Sequence, residues 1–445
     1  MNLPFRRLAC PGLDAPMETG DGFLARLVPT GRTIPLDAAA ELCAAVRAYG
    51  NGIIEITARR SIQVRGLRPD TISAFAATIR ALEIASEGVP VAIDPLAGLS
   101  PNAVMDASAL AVELRCALAQ AAFAAQLGPK VSVVIDGGGT LHHDTLAADV
   151  RLRPDEGDPT RVQLMLGGTA SQAISIGTVP MAQATEMTLR MLEVIAKRGR
   201  TARARDLIRD HGLEIFKQAL GHPEAATPSP PRPPAEPIGR HRLNDGHLAV
   251  GIGIAFGHTD ADALEALIAA AERSHARGLR TAQRALLVLG LTVLTAPLFA
   301  ADAADLGFIV RADDPRRHIA TCAGAPICRS AQFQSRALAP MLATAAASLL
   351  DGSFTLHLSG CAKGCAHHAA SAITLVGDRG RCDLVIDGTA GSNPMGSVTV
   401  DALPARLVAL ADVVARTRGE HNVADALTRL GRARVVEILS EAGHG

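Results

Sequence analysis

Parts of this chain repeat at a fixed distance, and a repeat limits the fold more than composition does. DGFLARLVPTG (residues 21–31) matches DGHLAVGIGIA (245–255), and TARRSIQVRGL (57–67) matches TAQRALLVLGL (281–291), both at an offset of 224. Ala/Leu-rich helical patterns lie between them, near residues 36–49 and 261–275. Each unit therefore reads strand, helix, strand. Further along, VQLMLGGTA (162–170) matches CDLVIDGTA (382–390) at an offset of 220. Each of these precedes a long amphipathic pattern, near 182–198 and 402–418. Two unrelated segments with nearly the same offset imply one ancestral half copied whole.

Residues 222–240 hold seven of the 26 prolines and read as an extended linker running over the surface. The expected organisation is a small unit at 1–70, a larger α/β unit at 71–222, a linker at 223–237, a second small unit at 238–298 and a second larger unit at 299–445. Paired half-units of this kind tend to leave a cleft suited to a large ligand.

Charge and composition exclude several functions. Lys+Arg and Asp+Glu are both 44, so a strongly basic nucleic-acid binder is not expected. One Tyr and no Trp leave little for base stacking. The most apolar run, residues 285–301, is interrupted by Gly290 and Pro297 and is shorter than the ~20 residues of a membrane span. The N-terminus carries no apolar signal core, so the expected protein is soluble and cytoplasmic.

Eight cysteines are present. Cys10, Cys43, Cys116 and Cys382 stand apart and read as free thiols in a reducing compartment. The other four form two pairs, Cys322-x5-Cys328 and Cys361-x3-Cys365. Glycines beside them let backbone amides approach a cluster's sulfides. The x5 spacing is unusual for zinc, so the pattern favours an iron–sulfur cluster, with zinc and unliganded thiols as the competing readings. The matching loop of the first half, KVSVVIDGGGTLHHD (130–144), has no cysteine, so one cluster per chain is expected.

On these features the chain resembles the siroheme-dependent sulfite and nitrite reductases. The resemblance is carried by ACPGLDAPMETGDGFLARL (9–27), GNGIIEITARRSIQVRGL (50–67), PLAGLSP (95–101) and SGCAKGCAHH (359–368). Within that superfamily it is most similar to the precorrin-3B synthases, the oxygen-using branch on the aerobic cobalamin pathway. The reductases usually have Pro-Asn between the last two cysteines, where this chain has Ala362-Lys363. The implied fold class is α+β: a duplicated sulfite/nitrite-reductase-like architecture, with ferredoxin-like half-domains pairing and two larger α/β domains related by pseudo-twofold symmetry.

The resemblance implies a [4Fe–4S] cluster on Cys322, Cys328, Cys361 and Cys365, and a second iron centre, either non-haem iron or siroheme. In the reductases the position of Cys365 also bridges to the siroheme iron. The implied reaction is O2-dependent hydroxylation of precorrin-3A at C20 with γ-lactone formation. The alternatives are a siroheme-dependent sulfite or nitrite reductase and a non-catalytic iron–sulfur or zinc scaffold or sensor. No NAD, flavin or P-loop pattern is present, so a separate electron donor is implied.

A polycarboxylate macrocycle calls for cations, and planar arginine forks suit carboxylates best. The expected binding set is Arg26, Arg59, Arg60, Gln63, Arg65 and Lys130, with Arg26 and Lys130 also expected to be catalytic. Strand alternation puts Arg59, Ser61, Gln63 and Arg65 on one face and Arg60 on the other. The repeat mates of Gln63 and Arg65 are Leu287 and Leu289, and that of Arg26 is Val250, so the fold does not require these polar groups. Lys130, expected to open a strand, matches the first of two lysines that the reductases direct at their anion; the second is Ser132 here, and a further family Arg is Val89. Those departures favour a small substrate such as dioxygen. His142, His143 and Asp144, or His367 and His368, are candidate ligands of a second iron, weighed against ordinary hydrogen-bonded histidines.

Overall fold

The structure, a computed structural model, describes residues 11–227 and 229–440. Cys10 lies outside the described residues. The chain divides into two compact units. Within the described residues, one comprises 11–17, 24–252 and 259–306, and the other 18–23, 253–258 and 307–440.

Duplication is visible in the strand orders. In the first small sheet the strands Gly22–Pro29, Ile62–Leu67 and Ile53–Ile56 are neighbours in that order. In the second the equivalent strands Leu248–Gly253, Ala285–Leu291 and Gly278–Ala282 follow the same order. The helices between them are Leu36–Tyr49 and Ala261–Arg273, and they pack on each other. Ile34 and Leu279 exchange two backbone hydrogen bonds of 2.8 Å, and Arg47 pairs with Asp262 and Glu265 at 3.0 and 2.8 Å. The half-domains thus complete one another within the first unit.

The larger domains each carry a five-stranded sheet of the same design. Val91–Ile93, Val133–Ile135 and Ala148–Pro154 run parallel, then Arg161–Gly168 and Ile174–Pro180 run antiparallel. Ile319–Thr321, Leu356–Ser359 and Ser371–Asp378 run parallel, then Arg381–Gly388 and Gly396–Thr399 antiparallel. The repeated VQLMLGGTA and CDLVIDGTA segments occupy the same, fourth place in the two sheets.

Helices Ala107–Gln120 and Ala184–Ala196 bury their apolar stripes on one face of the first sheet, against Val133, Ile135, Val150 and Leu152. The other face of strand Ala148–Pro154 offers Asp149, Arg151 and Arg153, which are also buried. In the second unit, helices Ser335–Ala345, Leu403–Thr417, Val423–Leu430 and Arg432–Leu439 share one core with Leu358, Leu375 and Leu384. Among the described residues no helix is long and apolar enough to cross a membrane.

The Pro-rich segment is more than a solvated tether. Proline lacks an N–H, so such a segment binds mainly through carbonyls and side chains. Thr178 donates to the Glu224 carbonyl at 2.8 Å, the Thr227 amide donates to Asp155 at 3.0 Å, and His142 Nε2 lies 2.9 Å from the Pro233 carbonyl. Arg232 forks Asp144 (Nε to Oδ2, 3.1 Å) and also pairs with Asp136. These bonds pin the linker to the first large domain.

Candidate functional site

In the second unit the cysteines stand where two neighbouring parallel strands end. Ile319–Thr321 runs directly into Cys322, and Leu356–Ser359 leads to Cys361 two residues later. The loop carrying Cys328 turns back on itself: the Cys328 amide donates to Gly324 at 2.7 Å and that of Ala325 to Phe333 at 2.9 Å. Helix Ser335–Ala345 follows this loop, to which residues 329–334 belong.

Three contacts lock the two loops together. The Gln332 amide donates to Gly360 at 2.7 Å, the Gly360 amide points at Cys322 Sγ at 3.1 Å, and Lys363 Nζ donates to Ser330 Oγ at 2.8 Å. Lys363, one of the two departures from the reductase pattern, is therefore a tie between cysteine loops. Gly360 is required sterically, since a Cβ there would lie 2.6 Å from that of Ala331. Gly20 plays a similar part: its Cβ would meet the Ile327 carbonyl at 2.4 Å, which explains the METGDG motif beside the cysteine loop.

The donor set suits a cluster. Partial burial, then the sulfurs of Cys361, Cys322 and Cys328, push the Cys365 thiol up, while Lys363 acts the other way. Those three sulfurs thus lie within electrostatic reach of Cys365. Among the described residues, however, no three His, Cys, Asp or Glu side chains converge closely enough to hold a single metal ion. A single zinc ion draws thiolates to ~2.3 Å from one centre. Iron–sulfide cores are larger, tolerate more separated thiolates and are tuned by N–H···S contacts such as that from Gly360.

The first unit holds a cationic cleft of about 80 Å³. Arg26, Arg59, Arg60 and Lys130 all line it, with Ser61 and Ser132. Val28, Val91, Val133 and Leu146 supply apolar wall. Arg26 projects from strand Gly22–Pro29. With the Gln63 amide nitrogen facing Glu55, the orientation that satisfies both ends, Gln63 donates to Glu55 Oε2 at 2.8 Å. Its oxygen then accepts from Arg26 Nε and Nη2 at 3.3 and 3.2 Å. Arg65 holds Glu55 at 3.4 Å from behind and is not among the lining residues. Gln63 and Arg65 therefore orient Arg26.

Arg59 and Arg60 do not lie on the strand. Thr57 and Ser61 close a turn (3.0 Å), with Arg60 at φ 63°, and the strand begins at Ile62. This turn, rather than strand alternation, leaves Arg59 exposed and Arg60 buried at 4% exposure. Burial drives the Arg60 pKa down to about 10; Asp94 opposes the shift, and Arg280 and Arg115 add to it. Its Nε is buried with no hydrogen-bond partner among the described residues. Sequence reading overlooked Arg284, which is 224 residues from Arg60 and also has positive φ, at 50°. The repeat itself, TARRS against TAQRA, carried that signal.

Lys130 lies in the turn before strand Val133–Ile135 instead of opening it, and is exposed. The Ser132 amide donates to Asp149 at 3.1 Å. Val89 packs on the apolar core.

His142, His143 and Asp144 are used structurally. His143 Nε2 is 2.9 Å from the Ile93 carbonyl, and burial followed by the Arg60 charge holds its pKa well below the usual value. Although burial opposes it, the Arg232 fork holds Asp144 below its ordinary range. His368 is exposed, and His367 stands edge-on to His357 with ring centroids 5.6 Å apart. His357 is fully buried with neither ring nitrogen bonded among the described residues. Burial, then His367 and His368, push its pKa down to about 4, so its ring is neutral.

The comparisons with known proteins agree with this architecture. Residues 15–82 match the nitrite/sulfite reductase ferredoxin-like half domain. The structure is similar to that of the Mycobacterium tuberculosis NirA protein, with a TM-score of 0.74 and 20% identity, over 93% of this chain and 84% of that one. "Sulfite reductase [ferredoxin] 2" of Mycolicibacterium paratuberculosis is 26% identical over 377 residues, 77% of this chain and 67% of that protein. The fold is thus that of the nitrite/sulfite reductases. A Sinorhizobium protein named precorrin-3B synthase is 39% identical over 434 residues, 97% of this chain and 94% of its own length. The chain belongs to the precorrin-3B synthase family.

Proposed function

We propose that this chain is a monooxygenase that converts precorrin-3A to precorrin-3B. One atom of O2 enters at C20, a ring A acetate closes a γ-lactone at C1, and the other oxygen atom leaves as water with two electrons from a separate donor. The observation that carries this reading is the 39% identity to a named precorrin-3B synthase across nearly the whole chain. The cleft chemistry supports it: Arg26, Arg59, Arg60 and Lys130 gather where carboxylate arms need cations, and Ser132 is neutral where the reductases carry a second lysine.

A [4Fe–4S] cluster held by Cys322, Cys328, Cys361 and Cys365 would supply one-electron transfer. The chain's own residues bind and orient. At about 80 Å³ the cleft is well below the ~300 Å³ of the smaller drug-sized pockets, so it takes a carboxylate arm or a small reactant and not a whole macrocycle. Arg60 meets an arriving carboxylate already desolvated. The Glu55–Gln63 pair fixes the Arg26 fork, so little side-chain freedom is lost on binding. The valine and leucine walls exclude water. The cluster loops are cross-tied by Lys363 and Gly360, which limits reorganisation when charge changes.

The test is anaerobic purification with iron, acid-labile sulfide and tetrapyrrole analysis, followed by turnover of precorrin-3A under ¹⁸O2. Label in a lactone-bearing product is expected. A Soret-absorbing protein that reduces sulfite and yields no such product would overturn the proposal.

A further inference from the structure

A second cavity in the first unit shares no lining residue with the cleft and is larger, about 310 Å³. Its walls come from the loop at residues 30–33, from Ile93, from helix Ala107–Gln120 through Ser108, Val112 and Arg115, and from strand Gly278–Ala282 through Arg280. Three lining residues are arginines, three carry hydroxyls and none is acidic.

Arg280 is only 9% exposed. Its partners are neutral: Nη1 donates to the Pro95 and Ala97 carbonyls at 3.2 and 2.8 Å, and Nε to Thr33 Oγ1 at 3.3 Å. Burial lowers its pKa to about 10, opposed by the charge of Asp106. That carboxylate already caps the helix by accepting from the Ser108 and Ala109 amides at 2.9 and 3.3 Å. Arg115 Nη2 donates to the Val91 carbonyl at 2.8 Å, while its Nε and the Ser108 hydroxyl are buried without hydrogen-bond partners among the described residues. Arg32 adds an exposed guanidinium at the rim. The fold does not demand this charge, because the repeat mate of Arg280 is the buried Ile56.

A buried Arg280, a half-buried Arg115 and an exposed Arg32 line one space with no carboxylate in its walls, and form a receptor that lacks its anion. We propose that this cavity binds a small soluble molecule through an oxyanion group, a phosphate or a carboxylate, gripped by Arg32, Arg115 and Arg280. The site shares no lining residue with the cleft that takes a carboxylate arm, and it does not depend on the reaction proposed above.

Inorganic phosphate and citrate serve as probes, titrated into the holoprotein by calorimetry in a zwitterionic buffer of low ionic strength. Saturable binding of one equivalent is expected. It should weaken by about ten- to a hundredfold in Arg32→Gln/Arg115→Gln, the effect of losing charge-assisted hydrogen bonds. Binding should persist in Arg59→Gln, which alters only the cleft. Arg32→Gln alone, at an exposed position, keeps the test readable if the double variant misfolds, and should also weaken binding. Tighter phosphate assigns a phosphate-bearing ligand and tighter citrate a carboxylate. No saturable binding of either probe by ~10 mM, affinity unchanged in the Arg32 and Arg115 variants, or loss of binding in Arg59→Gln would each overturn the assignment.

Discussion

Arg60 is costly to the folded chain, and replacing it by methionine tests what the charge is for. The side chain is 4% exposed, and burial lowers its pKa from the ordinary guanidinium range to about 10. At ~1.4 kcal/mol per pKa unit, the charged form is disfavoured in the fold by about 3 kcal/mol. The sign follows from proton linkage. Above pH 10 the unfolded chain holds the proton more tightly, so the cost is complete below pH 10 and fades as pH rises towards the ordinary guanidinium range. Methionine keeps the bulk and shares the strain of φ 63°, so both chains carry that strain equally. Arg60→Met should therefore be as stable as the parent at pH 7.5 or up to about 3 kcal/mol more stable. With no Trp and one Tyr, urea unfolding is best followed by circular dichroism. The same variant should bind a porphyrin polycarboxylate about ten- to a hundredfold more weakly. A loss of more than ~1 kcal/mol of stability, or unchanged binding, would refute the view that Arg60 is kept for a ligand.

Further expectations follow from the same geometry. Arg232→Gln should cost about 3–5 kcal/mol, because Asp136 (1% exposed) and Asp144 are left without their counter-charge; thermal unfolding should show the loss shrinking as pH falls and Asp144, which Arg232 holds below its ordinary range, protonates. Cys361→Ser should lose bound iron, labile sulfide and visible absorbance, whereas Cys116→Ser, at an exposed free thiol, should keep all three. His143 has a pKa held well below 6.5 by burial, so the unfolded chain protonates first and stability falls as pH drops below about 6.5; urea midpoints at pH 7.5 and 5.5 should fall less in His143→Gln than in the parent. Gly20→Ala should disturb the cysteine loop through the Ile327 carbonyl, read as reduced cluster occupancy at normal expression.

The duplication, the strand and helix types and the cysteine pairs were legible in the sequence because each is a local pattern or a spacing. The matching strand orders of the two five-stranded sheets follow from that copying. A linear pattern does not say where a strand begins. Arg59 and Arg60 look like strand residues, yet the turn closed by Thr57 and Ser61 exposes one and buries the other. Nor does sequence proximity tell ligands from hydrogen-bonded residues: both readings were open for His143, and its ring meets the Ile93 carbonyl.

The sequence by itself determined the copied halves and which half holds the paired cysteines, since both are written in residue order. Only the tertiary structure decided which cations are desolvated and what they pair with. Desolvation depends on everything packed around a group, and residues 232, 280 and 115 reach their positions from parts of the chain far from the motifs they serve.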